Sequence, residues 1–147
     1  MKNLVFDIGG TSIKYGVCQD NRLTDTAEVP TLAQKGGAHI LETVISLIET
    51  HSDYDAIGIS AGQVHAKDGY IIYANQNIPG YTGIQFKKNL EELFHVPVAV
   101  ENDVNAAALG EAVYGAGQNY DQFLMLTYGT GVGGAVINDR KVFHGSS

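Results

Sequence analysis

Val100-Glu101-Asn102-Asp103-Val104-Asn105-Ala106-Ala107-Ala108-Leu109-Gly110-Glu111 decides how this chain reads. Just upstream, His95-Val96-Pro97-Val98-Ala99-Val100 is a short apolar run rich in valine, the pattern of a buried strand. Downstream, the alanines and helix formers predict a helix over residues 104–114. Asn102 and Asp103 therefore fall where a strand ends and a helix begins. Open α/β sheets bind ligands in the crevice at the carboxyl ends of their strands. A carboxylate there can take a proton from a substrate hydroxyl, and a neighbouring carboxamide can both donate to and accept from sugar hydroxyls. The same two side chains also suit a helix N-cap. Taken alone, the stretch leaves both readings open.

Working outward toward the amino terminus, Leu4-Val5-Phe6-Asp7-Ile8 predicts a buried strand, Gly9-Gly10-Thr11 a turn, and residues 12–18 an alternating second strand. Gln19-Asp20-Asn21-Arg22 reads as a hairpin turn into a third strand over residues 23–30, giving an antiparallel meander. Two glycines let the backbone approach a ligand, and consecutive amides can form an anion-binding nest. Thr11 adds a hydroxyl, Lys14 a positive charge, and Asp7 a carboxylate suited to magnesium. Hairpin geometry alone would also explain the glycines.

Ile40, Leu41, Val44, Ile45, Leu47 and Ile48 recur at helical spacing and predict a helix over residues 38–51. Residues 54–61 read as the next strand, with Gly62 at its carboxyl end near a ligand position. Asp68-Gly69 signals a hairpin between residues 64–66 and 70–73. The loop at 74–81 carries Asn75, Gln76 and Asn77 and ends in Tyr81, a composition that suits hydroxyl-rich ligands and equally suits ordinary turns. A helix is expected over residues 84–94, with Leu90, Leu93 and Phe94 inward.

Beyond the central stretch, Gly115-Ala116-Gly117 stops the helix. Residues 123–127 predict a strand, Tyr128-Gly129-Thr130-Gly131-Val132-Gly133-Gly134 a second glycine-rich turn, and residues 135–137 and 141–144 two more strands. The two glycine turns share a layout of strand, glycines with threonine, strand. Together they suggest a phosphate cradle with Asp103 near its centre. Neither turn is a P-loop, which needs Lys-Ser/Thr opening a helix, and neither is a dinucleotide fingerprint.

Composition bounds these readings. The 147 residues suffice for a domain with a real core, and 44% hydrophobic with 17% charged residues marks a globular chain. A net charge of -7 argues against a nucleic-acid surface. It leaves room for a nucleotide, whose phosphates backbone amides and magnesium can hold. The lone Cys18 cannot form an internal disulfide and fits a reducing compartment, so a cytoplasmic location is expected. Signal-peptide and membrane-spanning patterns are not found.

In these motifs the chain resembles the ROK family of sugar kinases, within the sugar kinase, heat-shock protein and actin superfamily. Asp7-Ile8-Gly9-Gly10-Thr11, then the stretch from Glu101 to Glu111, then Thr127-Tyr128-Gly129-Thr130-Gly131-Val132-Gly133-Gly134 carry the resemblance, which covers essentially the whole chain. It implies an α/β, ribonuclease H-like domain of the actin/hexokinase type, a mixed sheet with an antiparallel amino-terminal meander flanked by helices. It implies ATP-dependent, magnesium-assisted phosphorylation of a hexose or N-acetylhexosamine. Asp103 would be the general base and Asn102 a sugar ligand, with Gly62, Asn75 and Asn77 lining the sugar pocket. Gly9, Gly10, Thr11, Lys14, Thr130 and Gly131 would contact ATP phosphates, with Asp7 near magnesium.

Family kinases run to about twice this length, so residues 1–147 are expected to be the amino-terminal lobe. A structural zinc site, present in many members, would belong to the other half. Family repressors carry a helix-turn-helix before the first phosphate turn, so a kinase is expected here. Ala135 stands where many relatives carry a further glycine. The expected partners are a small sugar and ATP, not nucleic acid or membrane, and apolar surface left by a missing lobe would favour self-association. A non-catalytic sugar- or nucleotide-binding module with the same fold is the alternative.

Overall fold

The computed structural model describes residues 1–73, 78–129 and 131–145. It divides into two compact units, Met1–Glu101 and Asn102–Ser147.

The first unit opens with the expected meander, β1 (Lys2–Ile8), β2 (Ser12–Gln19) and β3 (Arg22–Pro30), antiparallel throughout. Asp20 and Asn21 form the β2–β3 turn, both at positive φ (51° and 59°), as a two-residue hairpin matched to strand twist requires. Helix α1 (Gly37–Glu49) leads to β4 (Ala56–Ala61), a short hairpin β5 (Gln63–Val64) and β6 (Ile71–Tyr73), then α2 (Phe86–Phe94) and β7 (Val98–Asn102). The main sheet has the order β3-β2-β1-β4-β7, with β4 parallel to β1. A meander followed by a parallel crossover strand gives the mixed sheet that the motifs imply.

Period two and period 3.6 explain the core. Leu4, Phe6 and Ile8 of β1 alternate into it, while Asp7 faces outward. Ile40, Val44 and Ile48 lie four apart on α1 and are all buried. Phe86 and Leu90 of α2 join the same cluster, as do Ile57 and Ile59 of β4. Each such side chain contributes roughly 1.5–3 kcal/mol on burial.

Several boundaries differ from the periodicity reading. Helix α2 begins at Phe86, not residue 84, and its inward pair is Phe86 and Leu90; Leu93 is 55% exposed. His95 caps α2 in the left-handed conformation (φ 55°), so β7 starts only at Val98 and runs on to Asn102. The hairpin at Asp68-Gly69 exists with shorter strands: Gly69, at φ 62°, donates its N–H to the His65 carbonyl at 2.9 Å.

The second unit holds α3 (Asp103–Tyr114), β8 (Phe123–Tyr128), β9 (Val132–Asn138) and β10 (Lys141–Val142), the strands forming an antiparallel sheet in the order β10-β9-β8. Its core cluster is Ala108, Ala135 and Ile137, with Val104, Leu109, Phe123, Met125 and Val142 packed against it. Leu124, Leu126, Tyr128, Val132 and Val136 are exposed. The continuous apolar run of β8 thus reflects a strand apolar on both faces, with one face covered.

The second glycine turn is shorter than its sequence suggests, because Gly133 and Gly134 lie inside β9. A Cβ on Gly133 would stand 2.6 Å from Val104 Cγ2 and 2.7 Å from Thr127 Oγ1. That glycine is explained by close packing of α3 on the sheet. Ala135, two residues on, is buried in the same cluster. Among the described residues no helix is long and apolar enough to cross a membrane.

Candidate functional site

In the first unit, the β1–β2 turn brings together Asp7, Gly9, Gly10, Thr11 and Lys14. Asp7 and Lys14 lie directly opposite in the ladder, and both side chains are exposed. Gly9 donates its N–H to the Ser12 carbonyl at 3.0 Å, closing the turn. A Cβ on Gly9 would stand 2.9 Å from that carbonyl oxygen, so this position excludes larger residues. Gly10 is exposed, with open space where a Cβ would be.

The parallel pairing of β1 with β4 sets Ser60 beside Asp7, and the Ser60 hydroxyl donates to Asp7 Oδ1 at 2.8 Å. This fixes the carboxylate's orientation. Ser60 carries no signal in the linear sequence, since its proximity depends on a crossover register. Gly62 follows the end of β4, and a Cβ there would meet nothing within 4 Å. Among the described residues no three His, Cys, Asp or Glu side chains converge on a metal position. Magnesium commonly takes one or two carboxylates and completes its shell with phosphate oxygens and water, so a single oriented Asp7 suits it.

In the second unit, Asn102 is the N-cap of α3. Its Oδ1 accepts the N–H groups of Val104 (3.0 Å) and Asn105 (3.3 Å). Capping by this residue is therefore real, and it engages the side-chain oxygen rather than the amide nitrogen. Asp103 is the first helical residue; its carboxylate is exposed, and Oδ1 accepts the Val104 N–H at 2.8 Å. A carboxylate in the first turn is favoured by the helix dipole. Gly131 is exposed, and its carbonyl accepts the Gly129 N–H at 2.9 Å. Asn75, Asn77 and Thr130 lie outside the described residues.

Comparison with known proteins supplies the context for these groups. The ROK family model matches residues 4–147. An uncharacterised protein of Clostridium perfringens is 51% identical over 97% of this chain and 50% of its own length. A beta-glucoside kinase of Klebsiella pneumoniae is 36% identical over 99% of this chain and 49% of its own. A crystal structure of a ROK family glucokinase from Streptomyces griseus, in complex with glucose and AMPPNP, superposes with a TM-score of 0.85 at 34% identity, over 99% of this chain and 47% of the other. The chain spans about half the length of the relatives it matches. With the family model covering nearly every residue, and with sugar kinases among its neighbours in sequence and fold, this chain belongs to the ROK family.

Proposed function

We propose that the chain is the amino-terminal lobe of an ATP-dependent sugar kinase, phosphorylating a hydroxyl of a hexose or N-acetylhexosamine. The observation that carries the reading is the exposed Asp103 carboxylate at the junction of β7 and α3, beside Asn102, which caps the helix. In the reaction the sugar hydroxyl oxygen forms a bond to the γ-phosphorus of ATP. The bond from that phosphorus to the β–γ bridging oxygen breaks, and ADP leaves. Asp103 takes the hydroxyl proton as general base.

The remaining roles follow the chemistry of each group. Gly9, whose own N–H closes the turn on the Ser12 carbonyl, lets the backbone approach the phosphates, the N–H groups of Gly10 and Thr11 donate to their oxygens, and Lys14 offsets their charge. Thr130 and Gly131 do the same from the second turn. Asp7, oriented by Ser60, would hold magnesium, which would supply neutralisation of the phosphate charge. Asn102, Gly62, Asn75 and Asn77 bind the sugar. Relatives described as glucokinases and beta-glucoside kinases support a sugar as acceptor.

A coupled ADP-release assay tests this, using Mg-ATP and a panel of hexoses and N-acetylhexosamines. The 147-residue chain runs beside a version extended through the half its relatives carry. Turnover on one sugar by the extended form is the expected result. Asp103→Asn should then lower kcat by about 10²–10⁴-fold with sugar binding retained. Near wild-type turnover by Asp103→Asn would remove Asp103 as the base. No turnover by either form on any sugar would favour the non-catalytic binding module.

A further inference from the structure

Thr31 is the sole fully buried polar side chain among the described residues, at 0% exposure. It follows directly after the end of β3 at Pro30, far along the sequence from the turn at Gly9-Gly10-Thr11. Its hydroxyl donates to the Gly9 carbonyl at 2.7 Å, and its backbone N–H donates to the Thr11 carbonyl at 2.9 Å. One residue therefore grips the turn at both of its ends.

The geometry of the peptide bond gives this grip a consequence. All peptide bonds among the described residues are trans. Across a trans peptide, the carbonyl of one residue and the N–H of the next point in opposite directions. With the Gly9 carbonyl drawn toward Thr31, the Gly10 N–H points away from it. With the Thr11 carbonyl drawn toward Thr31, the Ser12 N–H points away likewise. Without the hydroxyl, the first of these peptides would be free to rotate, since glycine on both sides imposes few steric limits.

We propose that Thr31 is a positioning residue: its two hydrogen bonds hold the carbonyls of Gly9 and Thr11 on the core side and so aim the Gly10 and Ser12 amides at a phosphoryl oxygen of a bound nucleotide. This rests on the reading of the turn as a phosphate site. The burial fits the role. A hydroxyl at the surface would exchange its bond with water, whereas a buried one keeps its partner. Nothing in the linear sequence marks Thr31, because its partners lie two strands away.

The test compares Thr31→Val, which keeps the shape and the backbone N–H but removes the hydroxyl, with Thr31→Ser, which restores a hydroxyl. Amide hydrogen exchange in the 147-residue chain reports the turn through Gly9 and reports the rest of the unit through Ile57, whose N–H donates to the Pro97 carbonyl at 3.0 Å. Thr31→Val should accelerate exchange at Gly9 by about tenfold while Ile57 changes less than about twofold, and Thr31→Ser should sit near wild type. Mg-AMPPNP affinity and glucose affinity, each titrated on the extended chain, give the functional readout. Thr31→Val should weaken Mg-AMPPNP by about tenfold and leave glucose within about twofold.

Uniform acceleration of exchange, or equal weakening of both ligands, would reduce Thr31 to a structural residue and overturn the proposal. Local acceleration at Gly9 with unchanged Mg-AMPPNP affinity would overturn the positioning role and leave the phosphate reading standing. No Mg-AMPPNP binding by the wild-type extended chain would remove the phosphate reading itself, and the proposal with it.

Discussion

The sheet of the first unit packs against α1 and α2, and Ile40, Val44, Ile48, Phe86 and Leu90 are all buried in one cluster with the strands. The sheet of the second unit packs against α3 alone, and its buried cluster is Ala108, Ala135 and Ile137. The first cluster is built from branched and aromatic side chains, the second largely from small ones. Burial scales with side-chain area, so the first unit holds itself together far more strongly per element. A segment of roughly 50 residues buries a smaller fraction of its surface than one of roughly 100. The second unit compensates through closeness: alanines on α3 and glycine at position 133 let helix and sheet approach. It also leaves Leu124, Leu126, Tyr128 and Val136 exposed on the other face of its sheet.

The comparison can be broken most directly at Phe86. Phe86→Ala empties a fully buried position in the larger core and should cost about 3–5 kcal/mol in urea unfolding. A loss below about 1 kcal/mol would mean that this core is looser than its burial indicates.

Next in size is Gly133→Ala. The added methyl would collide with Val104 Cγ2 and Thr127 Oγ1, so a loss of about 1–3 kcal/mol is expected, seen as faster amide exchange across β8 and β9. Trimming the neighbour in Gly133→Ala/Val104→Ala should recover part of it. No recovery would show that close packing on α3 is not what position 133 serves.

A smaller effect is expected at Tyr81, which is 5% exposed and whose hydroxyl has no partner among the described residues. Burial pushes its phenol up from the ordinary 10.0. The folded form resists ionisation while the unfolded chain ionises at its ordinary value. Stability from this group is therefore complete below pH 10.0 and falls as pH rises above it. Tyr81→Phe should remove that alkaline slope, and near neutrality it should cost less than about 1 kcal/mol, because no hydrogen bond among the described residues is lost. An unchanged slope in urea midpoints from pH 9 to 11, a window chosen about the ordinary tyrosine value, would assign it to another group.

The least effect should come from Leu124→Lys on the open face of β8. At 62% exposure, it should move stability by no more than about 0.5 kcal/mol while raising solubility. A large loss of stability would mean that this face is covered in solution, for instance by a second copy of the chain.

Period and motif make much of this protein legible in its sequence. The meander, the spacing of Ile40, Val44 and Ile48, and the strand-to-helix junction at Asn102-Asp103 all follow from local patterning, because side-chain alternation and hydrogen-bonding caps are decided within a few residues. The motifs also carried the family. What patterning missed lay where a distant residue settles the local choice. Leu93 matches the apolar pattern, yet Phe86 and Leu90 take the inward positions. His95 matches a strand start, yet it closes a helix at positive φ.

By itself, the sequence determined the family, the α/β class, the order of the elements and the chemical types of the candidate site. Tertiary structure alone decided that Ser60 orients Asp7, that Thr31 holds the Gly9–Thr11 turn, and that Gly133 lets α3 pack closely on the sheet. The physical reason is common to all three. Each contact joins residues brought together by strand register or helix docking, and neither is encoded in the local spacing of residue types.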